Sequence, residues 1–313
     1  MNRFDGREKI IFVRTSDEPL ESFEQCALYS AAVHNKDKLV IFFSNVSIPL
    51  PSHLSSLVNL KPQLLNYSDI FSGTLLASWF ASKVWDATAN PVWRLRYLSN
   101  AFRVAYVYKY GGTYMDMDII ALRRFGDLKN HVARETPESI NNDFFCLQPK
   151  HGFLALVMQK FVSAFDPRQD SINFGPRLFS DAYFVHSGRV LKGALAILSF
   201  LPIAVHYLLV QFVYNPPLYV LPTEQVHPIL NRDAQKVLLD ANTQPEVMSK
   251  VHNATVIHLW RNKMRQWLSN PGIRISDRSV LYQIAKEHCP PVLPEWLAKS
   301  SSGSYAIFKP SNV

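Results

Sequence analysis

Two uninterrupted apolar runs, Ile10-Ile11-Phe12-Val13 and Leu39-Val40-Ile41-Phe42-Phe43, bracket a segment from Phe23 to His34 whose apolar residues recur at helical spacing. Short apolar runs without polar alternation read as strands covered on both faces. A strand, a helix and a second strand at this spacing form a βαβ unit, whose strands run parallel. The N-terminal third is therefore expected to be an α/β sheet, mainly parallel and flanked by helices. The chain has 313 residues, 48% hydrophobic and only 19% charged, enough apolar material for a substantial core.

A second feature says what such a sheet could carry. The segment Leu98 to Tyr110 repeats Ala101, Val104, Ala105 and Tyr108 at helical period, with Ser99 as a candidate N-cap and Gly111 at the C′ position. The chain then turns through Gly111-Gly112 into a segment from Tyr114 to Leu122 that alternates as a strand and contains Asp116-Met117-Asp118. On an extended backbone residues i and i+2 share a face, so Asp116 and Asp118 are expected to aim at one point. Two hard oxygen ligands at one point suit a divalent cation that also grips a diphosphate. Open α/β sheets bind ligands at strand ends such as this one. Further on, Phe144–Leu147 and Thr255–Trp260 read as strands. Phe153–Phe165 and Asp277–Glu287, the latter capped by Ser276, read as helices.

The net charge of +8 fits anionic ligands, and because the basic residues are dispersed, nucleic acid is not expected as a partner. Cys26, Cys146 and Cys289 match no zinc spacing, and their odd number leaves at least one thiol free. Sequons at Asn45, Asn66 and Asn253 fit a secretory lumen. The polar segment ahead of Ile10 has the character of neither a signal peptide nor a membrane anchor. The apolar run 193–213 has about the length of a bilayer span. It is interrupted by Pro202, His206 and Gln211, so a buried helix or a membrane-surface contact is expected rather than a span.

Together, Leu98-Ser99-Asn100-Ala101-Phe102-Arg103 and Gly111-Gly112-Thr113-Tyr114-Met115-Asp116-Met117-Asp118 resemble the Ser-Asp-x-x-Arg … Gly-Gly-x-Tyr-x-Asp-x-Asp signature of retaining glycosyltransferases with the GT-A fold. The wider chain is similar to the alpha-1,4-galactosyltransferase and alpha-1,4-N-acetylglucosaminyltransferase family. The similarity includes Ile11–Ser16, Cys26–Ala32, Leu76–Phe80, Phe174-Gly175-Pro176, Leu221-Pro222-Thr223-Glu224 with Pro228-Ile229, and His258-Leu259-Trp260-Arg261-Asn262-Lys263. The resemblance implies one catalytic domain over 1–298, with an apolar insertion near 188–216 and a tail over 299–313. It implies transfer of a hexose or N-acetylhexosamine from a UDP-sugar to a glycolipid or glycan acceptor. The expected linkage is alpha-1,4 with retained configuration, the acceptor a glycosphingolipid, and the setting the membrane-associated Golgi lumen. Mn2+, or Mg2+, is implied at Asp118 with Asp116. Catalytic roles fall on Asp116, Asp118 and Arg103. Donor contacts fall on Thr15, Ser16, Asn100, Arg103, Tyr114, Asp116 and His258. A disulfide between Cys26 and Cys289 is implied by the same resemblance.

Three positions depart from the family pattern. Asn100 stands where the family has Asp, Arg14 replaces an acidic residue, and Arg261 interrupts His-x-Trp-Asn-Lys. Asn100 and the interrupted C-terminal motif leave open a relative that binds sugar nucleotide without turnover. A nucleotidyltransferase or phosphohydrolase is a further alternative, against which the ordered family matches argue.

Overall fold

Successive side chains of the first strands enter opposite cores. In the computed structural model, which describes residues 6–187, 217–240, 245–263 and 275–294, Ile10, Phe12, Val40 and Phe42 pack into one apolar cluster. Ile11, Val13, Ile41 and Phe43 pack into the other. These strands are β1 (Lys9–Arg14) and β2 (Leu39–Ser44), joined through helix α1 (Ser22–His34). They run parallel as the βαβ reading requires. Residues Leu60–Leu64 (β3) add a further parallel strand at the edge.

Beyond β1 the sheet continues through β4 (Gly112–Met115), which is parallel to β1. Next comes β7 (Ser139–Leu147), antiparallel to β4. Then β6 (His131–Thr136) pairs antiparallel with β7, and β8 (Tyr219–Leu221) pairs parallel with β6. The resulting seven-stranded order is β3-β2-β1-β4-β7-β6-β8. Helices α2 (Pro91–Tyr110), α3 (Gly152–Ala164) and α4 (Pro176–His186) cover the face that holds Ile11 and Tyr114. Helix α1 and the C-terminal α5 (Val280–His288) cover the other. The α/β class, mostly parallel and flanked by helices, is the expected one.

Several boundaries differ from expectation; β7, for one, begins at Ser139 rather than Phe144. The segment Tyr114–Leu122 is two strands rather than one. After β4 the chain turns at Asp116-Met117-Asp118, closed by Ile119 N donating to Asp116 O at 3.1 Å. It then enters β5 (Ile119–Ala121), which pairs antiparallel with β9 (Val256–His258) in a separate two-stranded sheet. The alternation of apolar residues survives the turn because both strands are buried, so periodicity alone could not reveal it. The cap of helix α2 lies nine residues before the expected one, Ser99: Asn90 caps it by accepting from Val92 N and Trp93 N, and Pro91 takes the first turn. Arg94 and Arg96 had masked that first stretch by breaking the apolar period. Helix α5 is capped by Ser279, which accepts from Tyr282 N, while Ser276 to Ser279 forms the turn before it.

Cys26 on α1 is bonded to Cys289 just after α5, with Cα atoms 5.2 Å apart. Cys146 is a buried free thiol whose Sγ donates to Leu128 O at 2.9 Å. No helix among the described residues is long and apolar enough to cross a membrane. The run 193–213, the insertion 188–216 and the tail 299–313 lie outside the described residues.

Candidate active site

The turn that splits β4 from β5 opens at the C-terminal end of β4, and four segments converge on it. Helix α2 supplies Ser99, Asn100 and Arg103. The turn supplies Asp116 and Asp118, β7 supplies Asn141, Asn142 and Asp143, and the end of β9 supplies His258, followed by Trp260 and Arg261. All of them line one cleft of about 490 Å³.

Arg103 is buried along one wall. Its guanidinium reaches both oxygens of Asp116, at 2.9 Å to Oδ1 and 3.2 Å to Oδ2. It also donates to Asn142 O at 2.9 Å and Ser99 Oγ at 3.1 Å, and its Cζ stacks 4.4 Å from the Tyr114 ring centroid. The Tyr114 hydroxyl donates to Asp116 Oδ1 at 2.7 Å. Tyr114 is fully buried, so its contact with the site runs through Asp116. Asp116 is thus oriented by a bidentate cation and a phenol together.

Asp118 is fixed from the other side. Its Oδ2 accepts from Arg261 N at 2.7 Å and lies 3.1 Å from His258 Nε2. Both contacts fall on one oxygen, which leaves Oδ1 as a further donor atom. Arg261 itself is held by Glu21 and Glu24, each at 3.1 Å from its guanidinium. The residue that interrupts the sequence motif therefore ties the Asp118 turn to α1. Arg14 pairs with Glu24 and donates to carbonyls of Ser16, Glu18 and Pro19, so it braces the loop after β1.

Asn100 is committed on both sides. Its Nδ2 donates to Ser171 O at 3.2 Å, and its Oδ1 accepts from Asn142 Nδ2 at 3.1 Å. Thr15 and Ser16 sit at the C-terminal end of β1 and do not line this cleft. Thr15 O accepts from Asn45 Nδ2, and Ser16 Oγ accepts from Glu18 N.

Asn141, Asn142, Asp143 and His227 carried no expectation. Asp143 lies in β7 with Oδ2 2.7 Å from His227 Nε2 and 2.9 Å from His258 Nδ1. The signal for Asp143 was the run Asn141-Asn142-Asp143 opening an otherwise apolar strand, since buried polar residues are retained for a reason. His227, between Val226 and Pro228, gave no such signal.

The electrostatics follow from crowding. Burial, opposed by Arg103 and reinforced by repulsion from Asp118 and Asp143, raises Asp116 above the ordinary carboxylate range. For Asp118 burial pushes upward, but His258 and Arg261 outweigh it and hold the group low. Burial alone would raise Asp143, yet His227 and His258 hold it far below the usual range. Burial alone would depress His258, and the two carboxylates flanking its ring hold it well above its ordinary value. Carboxylates repelling one another in a half-dry cleft are the deficit that a divalent cation corrects. The Oδ1 of Asp118, with Asp116 and the imidazole of His258 once its Nε2 proton is displaced, is a donor set of the type that Mn2+ or Mg2+ accepts. Asp143, His227 and His258 also each bring one ligand atom within 4.8 Å of the others.

Residues 22–137 match the family described as the glycosyltransferase sugar-binding region containing the DXD motif. Over 92% of this chain and 76% of the relative, the sequence is 27% identical to a lactosylceramide 4-alpha-galactosyltransferase of Rattus norvegicus. It is 28% identical to the Homo sapiens protein of that name, over 90% of this chain and 75% of the relative. It is 26% identical to a Homo sapiens alpha-1,4-N-acetylglucosaminyltransferase, over 95% and 83%. Similar solved structures include the PaToxG glycosyltransferase, with a TM-score of 0.47 and 16% identity over 61% of this chain and 75% of that one. The galactosyltransferase LgtC is another, at a TM-score of 0.41 and 9% identity over 93% and 99%. Neither score supports a residue-by-residue correspondence. Asp116-Met117-Asp118 lies inside the matched span, and the relatives that align along most of the chain are sugar transferases, which supports a glycosyltransferase function.

Proposed function

We propose that this glycosyltransferase moves a hexose or N-acetylhexosamine from a UDP-sugar to a sugar hydroxyl in alpha-1,4 linkage. Mn2+ or Mg2+ would be held by Asp116, Asp118 and His258. The observation that carries the proposal is the convergence of α2, the β4–β5 turn, β7 and β9 on one acidic cleft at the end of a parallel strand. A divalent cation bound there neutralises charge on the departing diphosphate. The protein's own part is positional. Arg103 and Tyr114 fix Asp116, Arg261 N fixes Asp118, and the Asn100–Asn142 amide pair forms the polar wall facing the donor sugar. The preorganised groups need no rearrangement as charge develops on the leaving group.

The acceptor is taken to be a glycosphingolipid, since the relatives named above include enzymes of lactosylceramide. A lumenal, Golgi setting suits the Cys26–Cys289 disulfide, which persists in oxidising compartments. The alternative of a relative without turnover began with Asn100. Its amide makes a bond to Ser171 O that a carboxylate cannot make, so Asn100 fits its surroundings, which favours an intact site over a decayed one. The test is a screen of UDP-sugars with lactosyl-terminated glycolipid and Mn2+, with the product read by mass and anomeric NMR. An alpha-linked added sugar is expected. Hydrolysis of nucleotide without transfer, or no product from any UDP-sugar, contradicts the proposal.

A further inference from the structure

His258 is held at three places, and only one of them belongs to the cation site. Its Nε2 faces Asp118, at 3.1 Å from Oδ2. Its Nδ1 lies 2.9 Å from Oδ2 of Asp143, a residue 1% exposed. One face of the ring lies against Trp260, with centroids 4.0 Å apart and planes 24° apart. Trp260 takes a positive φ of 56°, unusual for a bulky residue, and its indole donates to Ile229 O at 2.9 Å. Asp143 is fixed in turn by His227 Nε2 at 2.7 Å, and the other nitrogen of His227 meets Arg134 O at 3.0 Å.

Asp143, His227 and His258 could also be taken as three ligands of an ion. The distances argue otherwise. Two ligands bonded at 2.0–2.1 Å to one ion and 90° or more apart stand about 2.8–3.0 Å apart or farther. Asp143 Oδ2 lies 2.7 Å from His227 Nε2, shorter than that bound and a hydrogen-bond length, and 2.9 Å from His258 Nδ1 in an ion-pair contact. A single oxygen serving both rings is a relay, not a cage.

We propose that Asp143, anchored by His227, is a positioning residue that holds His258 by Nδ1 and thereby presents Nε2 to the cation shared with Asp118. The proposal rests on the metal-dependent reading above. Outer partners of this kind fix the ring and its tautomer, and their loss costs about 10–100-fold in metal affinity. Deleting the Asp143 carboxylate frees the ring to turn about χ2, so the loss appears in cation binding before it appears in the fold.

The experiment counts free Mn2+ by electron paramagnetic resonance, titrating the full chain in saturating UDP. One Mn2+ per chain is expected, lost in Asp118→Ala. Asp143→Ala is expected to weaken binding about 10–100-fold. The same change made on top of His258→Ala should cost nothing further, because the residue it positions is gone. Asp143→Asn keeps the volume and an acceptor oxygen for Nδ1 and should restore most of the affinity. Wild-type Mn2+ affinity in Asp143→Ala overturns the relay. So does an equal further loss in the His258→Ala background, which marks general damage to the fold. A second Mn2+ that disappears in His227→Ala overturns it in favour of an ion between the three residues. Failure of wild type to bind Mn2+, or unchanged binding in Asp118→Ala, removes the metal-dependent reading itself and the relay with it.

Discussion

At Asn100 a carboxamide and a carboxylate differ by one hydrogen-bond donor, and the neighbouring backbone uses it. Nδ2 donates to Ser171 O, while Oδ1 takes the Asn142 amide. Asn100→Asp would set a carboxylate against a carbonyl oxygen in a buried wall. The expected cost is about 1–3 kcal/mol, the range for an unsatisfied buried acceptor, read as a lower midpoint in urea unfolding. An unchanged midpoint would mean that the wall re-forms around the carboxylate. Gly175 presses on the same pair: a Cβ there would stand 3.0 Å from Asn100 Nδ2. Asp116 and Asp118 stood out by their i, i+2 spacing, and Arg103 only through resemblance to the family signature. The partners that make Asn100 fit come from segments about forty and seventy residues away, and no local pattern reports such contacts.

Among the elements, the junction of α2 with β4 depends most on two glycines. Gly111 and Gly112 both take positive φ, 68° and 113°. A Cβ at Gly112 would meet Lys9 O and Ile11 Cδ1, each at 2.8 Å, so β4 could not lie against β1 in its present register. Gly112→Ala is expected to destabilise the protein by roughly 1–3 kcal/mol, because strain at positive φ adds to a backbone clash. A thermal melt with the wild-type midpoint would contradict this account of the junction. The sequence carried the strands of β1 and β2 and the body of α2 because their apolar patterns are strong. It did not reveal the break at Asp116-Met117-Asp118, since Met115 and Ile119 are both buried, though in different sheets. Nor did it reveal the first two turns of α2, where arginines stand among the apolar residues.

Across the whole molecule, the Cys26–Cys289 bond joins residues 263 apart in sequence and closes nearly the full chain onto itself. A loop of that size constrains the unfolded state strongly, so Cys26→Ser with Cys289→Ser should cost about 2–5 kcal/mol, measured by denaturant unfolding without reductant. A change below 1 kcal/mol would assign the bond little weight. Beside it, His34 Nε2 meets His288 Nδ1 at 3.0 Å. Burial, partly offset by Glu287 and reinforced by His34 and His252, lowers His288 to about 4. Its folded value lies below the ordinary 6.5, so between those values the unfolded chain binds more protons and stability falls as pH falls. The contribution is complete above about pH 6.5 and lost as pH drops through about 4, at most about 3 kcal/mol. His288→Gln should flatten that part of the stability profile, and an unchanged slope would exclude the pair as its source. At the scale of catalysis everything depends on the Asp116–Asp118 turn being a cation and diphosphate site. The most direct test is UDP release from a UDP-sugar and acceptor by wild type and Asp118→Ala, with Mn2+ and with chelator. The account predicts release by wild type with Mn2+ alone and a loss of about 100-fold or more in Asp118→Ala, the scale of removing one group that stabilises a developing negative charge. Equal release by the two proteins, or release by wild type undiminished by chelator, would contradict it.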